Sequence, residues 1–141
     1  MKNLFEFKPI NDINILSNKT TTPEDEKIFR KHVVEFYNNQ GYNVWNHTDD
    51  TGENDKGINL IVKKNRNIIL IRCHLATIDI SIDNLKEYEK QRDKFILENP
   101  IFEDYNITLR YSLTGFFLSE NAFWYMQEHT KLISYEIIKT N

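Results

Sequence analysis

The sequence predicts an α/β domain in which helices cover a central mixed β-sheet. Two long segments carry apolar residues at helical spacing, and between and after them lie short segments rich in Ile, Val, Leu, Tyr and Phe, which are typical of strands. The predicted order is helix, strand, strand pair, helix, strand, helix, strand. Strands that alternate with helices in this way favour a mixed sheet with helices on its faces. At 141 residues, the chain is long enough for one such domain with a substantial core.

Composition and charge narrow the class of protein without giving its function. The formal net charge is −3, so no overall basic field indicates nucleic-acid binding, although a local basic patch stays open. The single cysteine, Cys73, excludes an intrachain disulfide framework and suits a reducing cytosol, and its strand neighbours predict a buried structural thiol. No apolar run is long enough for a membrane span, and Glu6 and Lys8 interrupt the N-terminal segment, so we expect a cytoplasmic protein.

The chain begins with a polar segment and continues into a well-marked helix. Residues 1–22 are polar with scattered Phe and Ile, and we expect an N-terminal arm or short strand there, ahead of a domain at 23–141. Thr22 is the predicted N-cap, Pro23 fits the first turn, and Gly41 ends the helix. The residues that we expect this helix to bury are Phe29, Val33, Phe36 and Tyr37.

The remaining elements follow from the same kinds of pattern. "YNVWN" predicts a short strand, "HTDDTGEND" a loop, and "GINLIVKK" with "NIILIRCHL" a hairpin that turns at "NRN". A second helix begins after Ser81 and ends before Pro100. "NITLRYSLTGFFLS" predicts a further strand, "ENAFWYMQEH" a short helix and "KLISY" the last strand. The inward-facing residues predicted for the second helix are Ile82, Leu85, Tyr88, Phe95 and Ile96.

Polar side chains within the apolar strand pair are the main functional signal. Arg72 and His74 are two residues apart, so they point to one face of their strand while Cys73 points to the other. Asn59 lies partway along the preceding strand, and Arg30 lies at the edge of the buried face of the first helix. We expect these four polar groups from three elements to converge near one end of the sheet.

The ordered set of segments resembles the catalytic domain of Mrr-type restriction endonucleases, which belong to the PD-(D/E)XK nuclease superfamily. The resemblance runs from about Phe29 to Ile138 and rests on "GYNV", "DKGINLIV", "ILIRCHL", "TGFFLSENAFWYMQEH" and "KLISYEII" in that order. It implies a restriction-endonuclease-like three-layer core. It also implies the active site of a Mg²⁺-dependent endodeoxyribonuclease in the family's functional members.

The positions that match the family's active site carry different residues in this chain. The family's helix Glu matches Arg30. In its D-G-G-I-D motif the first Asp is kept as Asp55, whereas the second matches Asn59. In its Q/E-x-K motif the Gln or Glu matches Arg72 and the Lys matches His74. Metal-dependent hydrolysis needs anionic oxygens around Mg²⁺ or Mn²⁺. An Arg guanidinium instead donates paired hydrogen bonds that match the geometry of phosphate oxygens. The sequence therefore predicts a catalytically inactive domain that needs no cofactor and binds phosphate or nucleic acid, most simply DNA. The residues predicted to bind it are Arg30, Lys56, Asn59, Arg72 and His74.

Three other interpretations stay open at this point. The altered positions can be filled by side chains that pack and hydrogen-bond locally, without a ligand. The fold can serve as a regulatory or protein-interaction module. An active Mg²⁺- or Mn²⁺-dependent DNA endonuclease can persist with a relocated site that uses Asp55 as a metal ligand and His74 as a metal ligand or base. Further candidate ligands in the same loop are His47, Asp49, Asp50 and Glu53. The sequence does not fix the oligomeric state.

Overall fold

The computed structural model describes residues 22–48, 57–75 and 78–139, which contain three α-helices and five strands. The helices are α1 (Pro23–Asn38), α2 (Ile82–Glu98) and α3 (Glu120–Glu128). The strands are β1 (Asn43–Asn46), β2 (Leu60–Lys64), β3 (Asn67–His74), β4 (Asn106–Leu113) and β5 (Ile133–Ile137). A short 3-10 turn (Pro100–Phe102) follows α2. No helix in these ranges has the length and apolar character that crossing a membrane requires.

The five strands form one mixed sheet in the order β1-β2-β3-β4-β5. The β1–β2 and β2–β3 pairs are antiparallel, whereas the β3–β4 and β4–β5 pairs are parallel. Parallel neighbours need a crossover connection, and α2 and α3 supply the two crossovers. The predicted α/β fold, with a central mixed sheet flanked by helices, is confirmed.

Each face of the sheet is covered by its own apolar cluster. α1 packs on one face, which we call the α1 face, and α2 and α3 pack on the other, the α2 face. The buried residues of the α1 face are Phe29, Val33, Tyr37, Leu60, Val62, Ile69, Ile71 and Ile138. Those of the α2 face include Ile68, Leu70, Leu85, Tyr88, Leu109, Tyr111, Ala122 and Met126. Because side chains alternate along a strand, the even-numbered residues of β3 belong to the α2 face and the odd-numbered ones to the α1 face.

The helix starts agree with the sequence prediction. Thr22 Oγ1 accepts a hydrogen bond from the Asp25 amide at 3.0 Å, and the Asp25 carboxylate accepts one from the Thr22 amide at 3.2 Å. Ser81 and Asn84 make the same reciprocal pair of bonds at the start of α2, so both helices begin with a capping box. After α1, Gly41 has a φ of 88°, a left-handed conformation that suits glycine.

Some expectations about the elements are wrong. Phe36 is 39% exposed, because α1 buries the stripe of Phe29, Val33 and Tyr37 and leaves Phe36 at its margin. β4 ends at Leu113, and the residues after it form a bend that leads into α3 instead of continuing the strand. The predicted arm at 1–21 and most of the loop, at 49–56, lie outside the described residues.

Candidate functional site

A cavity of about 200 Å³ lies on the α2 face, where β3 ends; we call it the Arg72 cavity. Its lining residues are Arg72, His74, Ile80, Asn84, Glu87, Tyr88 and Tyr111. Arg72 and His74 reach it from β3, and Tyr111 is the parallel neighbour of Arg72 on β4. Two of the four polar residues that were expected to converge therefore share one cavity.

Arg72 is held in place by the backbone that precedes β2. Its Nη1 donates a hydrogen bond to the Gly57 carbonyl at 3.0 Å. A side chain at position 57 would place its Cβ 2.8 Å from Cγ of Gln91 on α2, so any larger residue here requires the Gln91 side chain to shift. The guanidinium is a planar group with five N–H donors. Arg72 thus places a fixed positive charge at the wall of the cavity.

Among the other ionisable groups of the cavity, the two tyrosines are uncharged near pH 7 and the acidic residue is exposed to solvent. Burial raises the pKa of Tyr111 to about 12, against the opposing effect of Arg72. Burial also raises the pKa of Tyr88 well above its usual range, and the Tyr88 hydroxyl donates to the Leu70 carbonyl at 2.7 Å. Glu87 is the acidic lining residue, but its side chain is 63% exposed and lies 3.9 Å from Lys90 Nζ. Solvent screening weakens its effect on the interior of the cavity.

His74 is committed to a local bond and is neutral near pH 7. Its Nε2 lies 2.8 Å from the Ile78 carbonyl, and because a carbonyl only accepts, Nε2 carries the hydrogen. The Nδ1 atom of the neutral ring is then an acceptor. Burial lowers the pKa of His74 below its usual 6.5; the Ile78 bond and Asp79 oppose this shift, and Arg72 adds to it.

The lowered pKa of His74 predicts a loss of stability in mild acid. Between the folded-state pKa and the unfolded value of about 6.5, the unfolded chain binds more protons, so the free energy of unfolding rises with pH in this window and is highest above it. We expect urea unfolding to show this rise in the native chain and a flatter profile in His74→Gln. A rise of the same size in both proteins would exclude His74 as its source.

Asn59 acts as a bridge between backbone segments. Its Oδ1 accepts from the Cys73 amide at 2.8 Å, and its Nδ2 donates to Thr48 Oγ1 at 2.9 Å. Its own backbone amide donates to the Ile71 carbonyl at 2.8 Å, and its carbonyl accepts from the Thr48 amide at 3.1 Å. The residue is 5% exposed. Asn59 therefore ties the end of the β1–β2 connection to β3, and both atoms of its amide are used in doing so.

Arg30 lies on the other side of the sheet from the Arg72 cavity. It belongs to the buried stripe of α1 and is 9% exposed. Its charge acts on Cys73, which packs against the α1-face cluster. Burial raises the pKa of the Cys73 thiol to about 12, so the thiol is protonated at neutral pH and is a poor nucleophile. The expected convergence of Arg30 with Arg72 and His74 is wrong, because the sheet separates them.

Lys56, Asp55, Asp49, Asp50 and Glu53 lie outside the described residues. His47, at the start of the loop, lines a smaller groove of about 110 Å³ together with Trp45 and Lys94.

The described part of the site does not fit a divalent cation. Within residues 22–48, 57–75 and 78–139, no three His, Cys, Asp or Glu side chains lie together as a metal-ligand set. Asn59, which the sequence resemblance matches to a metal-binding Asp, is neutral and already hydrogen-bonded through its side chain. Arg72 repels a cation, whereas Mg²⁺ prefers anionic oxygens.

A polar network on the α1 face was missed in the sequence. The Glu136 carboxylate accepts hydrogen bonds from the hydroxyls of Tyr37 and Ser112, the latter at 2.7 Å. Arg110 Nη1 donates to the Tyr37 hydroxyl at 2.9 Å and lies 3.6 Å from Glu136 Oε1, while its Nε donates to Ser134 Oγ at 3.0 Å. The available signal was the alternation of polar residues along β4 and β5, which the register places side by side.

No protein-family model, curated protein or solved structure matches this chain. The resemblance to Mrr-type nucleases therefore stays a prediction from the sequence pattern.

Proposed function

We propose that this chain is a catalytically inactive domain of nuclease-like fold that binds a phosphate group, most simply that of a nucleic acid, in the Arg72 cavity. The observation that carries the proposal is the placement of Arg72. Its guanidinium is anchored to the Gly57 carbonyl at the wall of a concave site of about 200 Å³. Planar guanidinium donors match phosphate oxygens in geometry and in charge.

The surroundings of Arg72 favour an anion over a metal ion. Asn84 and Tyr88, from the first turns of α2, line the cavity, so the positive end of the helix dipole lies close to it. His74 and Tyr111 are neutral near pH 7 and add no negative charge. The neutral ring of His74 offers an acceptor, Nδ1, that a protonated phosphate or a sugar hydroxyl fits.

The order of the elements supports the nuclease-like part of the proposal. The helix, three antiparallel strands, helix and parallel strand that run from α1 to β4 fall on the segments that carry the resemblance to Mrr-type enzymes. The chemistry supports the inactive part, because Asn59 and Arg72 replace the carboxylate and the Gln or Glu of that pattern.

Removing the Arg72 guanidinium is expected to weaken phosphate binding. Arg72→Gln should lower the affinity for a fluorescent DNA oligonucleotide about tenfold or more, since a hydrogen-bonded charge contributes roughly 1.5–3 kcal/mol. It should also make the slope of log affinity against log salt shallower by about one. Arg66→Gln is the matched control, because Arg66 lies at the hairpin turn at the opposite end of β3 and packs on the Tyr105 ring 4.5 Å away.

Fluorescence anisotropy over a salt series gives both quantities, and unfolding midpoints establish that the variants are folded. Binding that is independent of salt, or equal losses in Arg72→Gln and Arg66→Gln, would contradict a phosphate site at Arg72. Metal-stimulated cleavage that is lost in both Asp55→Ala and His74→Ala would replace the proposal with the relocated nuclease site.

A further inference from the structure

The two edges of the sheet differ in how they are protected from pairing with another strand. β1 has four residues, and a short edge strand offers little for another chain to pair with. β5 reads "ISYEI", which contains no proline, lysine or glycine and is rich in residues that favour strands. The one charged residue of β5, Glu136, lies on the α1 face, where its carboxylate is bonded to Ser112 and paired with Arg110. β5 therefore has fewer of the usual devices that keep a sheet edge from associating.

The outward hydrogen-bonding groups of β5 can be assigned from its bonds to β4. The Leu132 carbonyl accepts from Leu109, and the Ile138 amide donates to Leu113, both at 2.8 Å. Even-numbered residues thus face β4, and by alternation the amides and carbonyls of Tyr135 and Ile137 face away from it. Within the described ranges, no backbone hydrogen bond reaches these outward groups.

An aromatic patch lies beside this edge on the α2 face. Phe116 and Trp124 are 53% and 56% exposed, and Ile137 is 40% exposed. The Phe116 ring centroid lies 5.8 Å from that of Tyr135, and the Phe123 ring links Phe116 to Trp124 through edge contacts. Exposed apolar residues scattered singly are ordinary, whereas a contiguous group beside an open strand edge is typical of an interface.

We propose that β5 pairs with β5 of a second copy of this chain, antiparallel, with the two-fold axis at Tyr135. Apolar and polar residues are arranged symmetrically about Tyr135: Ile133 and Ile137 lie at the ends of the strand, and the polar Ser134 and Glu136 lie between. The axis sets Tyr135 opposite its own copy, each Ile133 opposite an Ile137, and each Ser134 opposite a Glu136. Apolar residues then meet apolar ones on the α2 face, and polar residues meet polar ones on the α1 face.

The outward backbone groups match this arrangement. The Tyr135 residues exchange a pair of amide–carbonyl bonds, and each Ile137 amide meets the carbonyl of an Ile133. The Ile133 amide is already satisfied by the His129 carbonyl at 3.0 Å. A two-fold axis perpendicular to the sheet keeps both aromatic patches on one side, so they lie next to each other across the seam. The result is a continuous ten-stranded sheet in which the outward edges of both β5 strands are hydrogen-bonded to each other.

The dimer also fixes the spacing of the two Arg72 cavities. Arg72, Tyr111 and Tyr135 occupy one row across β3, β4 and β5. The two β3 strands are then five strand spacings apart, or roughly 24 Å. Both cavities lie on the same face of the shared sheet. The pairing itself does not depend on what the cavity binds.

Light scattering on the full chain after gel filtration tests the pairing. We expect a mass of about twice 16.9 kDa that falls toward 16.9 kDa on dilution. Ile137→Lys and, separately, Trp124→Glu should shift the protein to the monomer, because each sets a charge in the apolar seam. Ile101→Lys is the matched control, since Ile101 is 78% exposed and follows the far end of α2, and it should leave the mass unchanged.

Amide hydrogen exchange at two protein concentrations separates a second copy from other covers of the edge. Protection of the Tyr135 and Ile137 amides that increases with concentration supports the dimer. Protection that is the same at both concentrations would mean that the chain covers its own edge, and would overturn the proposal. A monomer at every concentration, or a dimer that both Ile137→Lys and Trp124→Glu leave intact, would also overturn it.

Discussion

Glu136→Ala is expected to lower the free energy of unfolding by about 3 kcal/mol. The Glu136 carboxylate accepts hydrogen bonds from Tyr37 and Ser112 and pairs with Arg110, which together join α1, β4 and β5. Its removal leaves the hydroxyl of Ser112, which is fully buried, without its acceptor, and the partly buried charge of Arg110 without its ion-pair partner. The expected loss is at the low end of the range for a broken buried ion pair, because the Arg110 and Glu136 side chains are 29% and 18% exposed.

Urea unfolding with an unchanged m-value measures this loss. Glu136→Gln keeps one acceptor oxygen and should lose less than Glu136→Ala. Glu35→Ala is the control, because Glu35 is exposed on α1 and its removal should change the free energy of unfolding by less than about 0.5 kcal/mol. Equal small losses in Glu136→Ala and Glu35→Ala would show that the network contributes little to stability.

Asn59→Ala is expected to lower the free energy of unfolding by about 2–3 kcal/mol. The substitution removes the acceptor of the Cys73 amide and the donor to Thr48 Oγ1 at a position that is 5% exposed. The amide of β3 that loses its acceptor is partly buried, so little water reaches it. A loss of this size identifies Asn59 as a structural bridge between β3 and the connection that precedes β2.

The control for Asn59 is another side-chain amide pair in the same sheet. Asn67 Oδ1 accepts from Asn106 Nδ2 at 3.0 Å, but both residues are exposed. Asn67→Ala should therefore cost less than about 0.5 kcal/mol in the same urea experiment. If Asn59→Ala were equally mild, Asn59 would be available for a ligand and the bridge would be unimportant.

Much of the fold could be predicted from interactions between residues that are close together in the sequence. Thr22 with Pro23, and Ser81 with Asn84, mark helix starts through bonds that involve only neighbouring residues. The β2–β3 hairpin follows from two apolar runs on either side of a short polar turn. Phe36 could not be predicted from spacing alone, because it lies within one turn of the buried stripe and only the fit of α1 on the sheet decides its exposure.

The candidate site was predictable only in part. Arg72 and His74 share a face because alternation along one strand requires it. Arg30 was misplaced, because the sequence does not say which face of the sheet α1 covers. The network around Glu136 depends on the parallel register of β4 and β5, which are joined through α3 and are not set by a local turn. Long-range register is thus the part of the site that sequence patterns left undetermined.

The geometry connects these findings to the proposed function. Asn59 is used as a bridge, His74 is neutral and bonded to the Ile78 carbonyl, and Arg72 supplies the fixed charge. These features are the basis of the proposal that the cavity binds an anion and not a divalent cation. We therefore propose that this domain binds a phosphate backbone without cutting it.

Incubation of supercoiled plasmid with the native chain in Mn²⁺ tests this central claim most directly. Gel electrophoresis should show plasmid that stays supercoiled, with the same band pattern as in lanes that contain chelator or the His74→Ala variant. Nicked or linear plasmid that requires Mn²⁺ and disappears with His74→Ala would contradict the claim, because it would show that this site still activates water for hydrolysis.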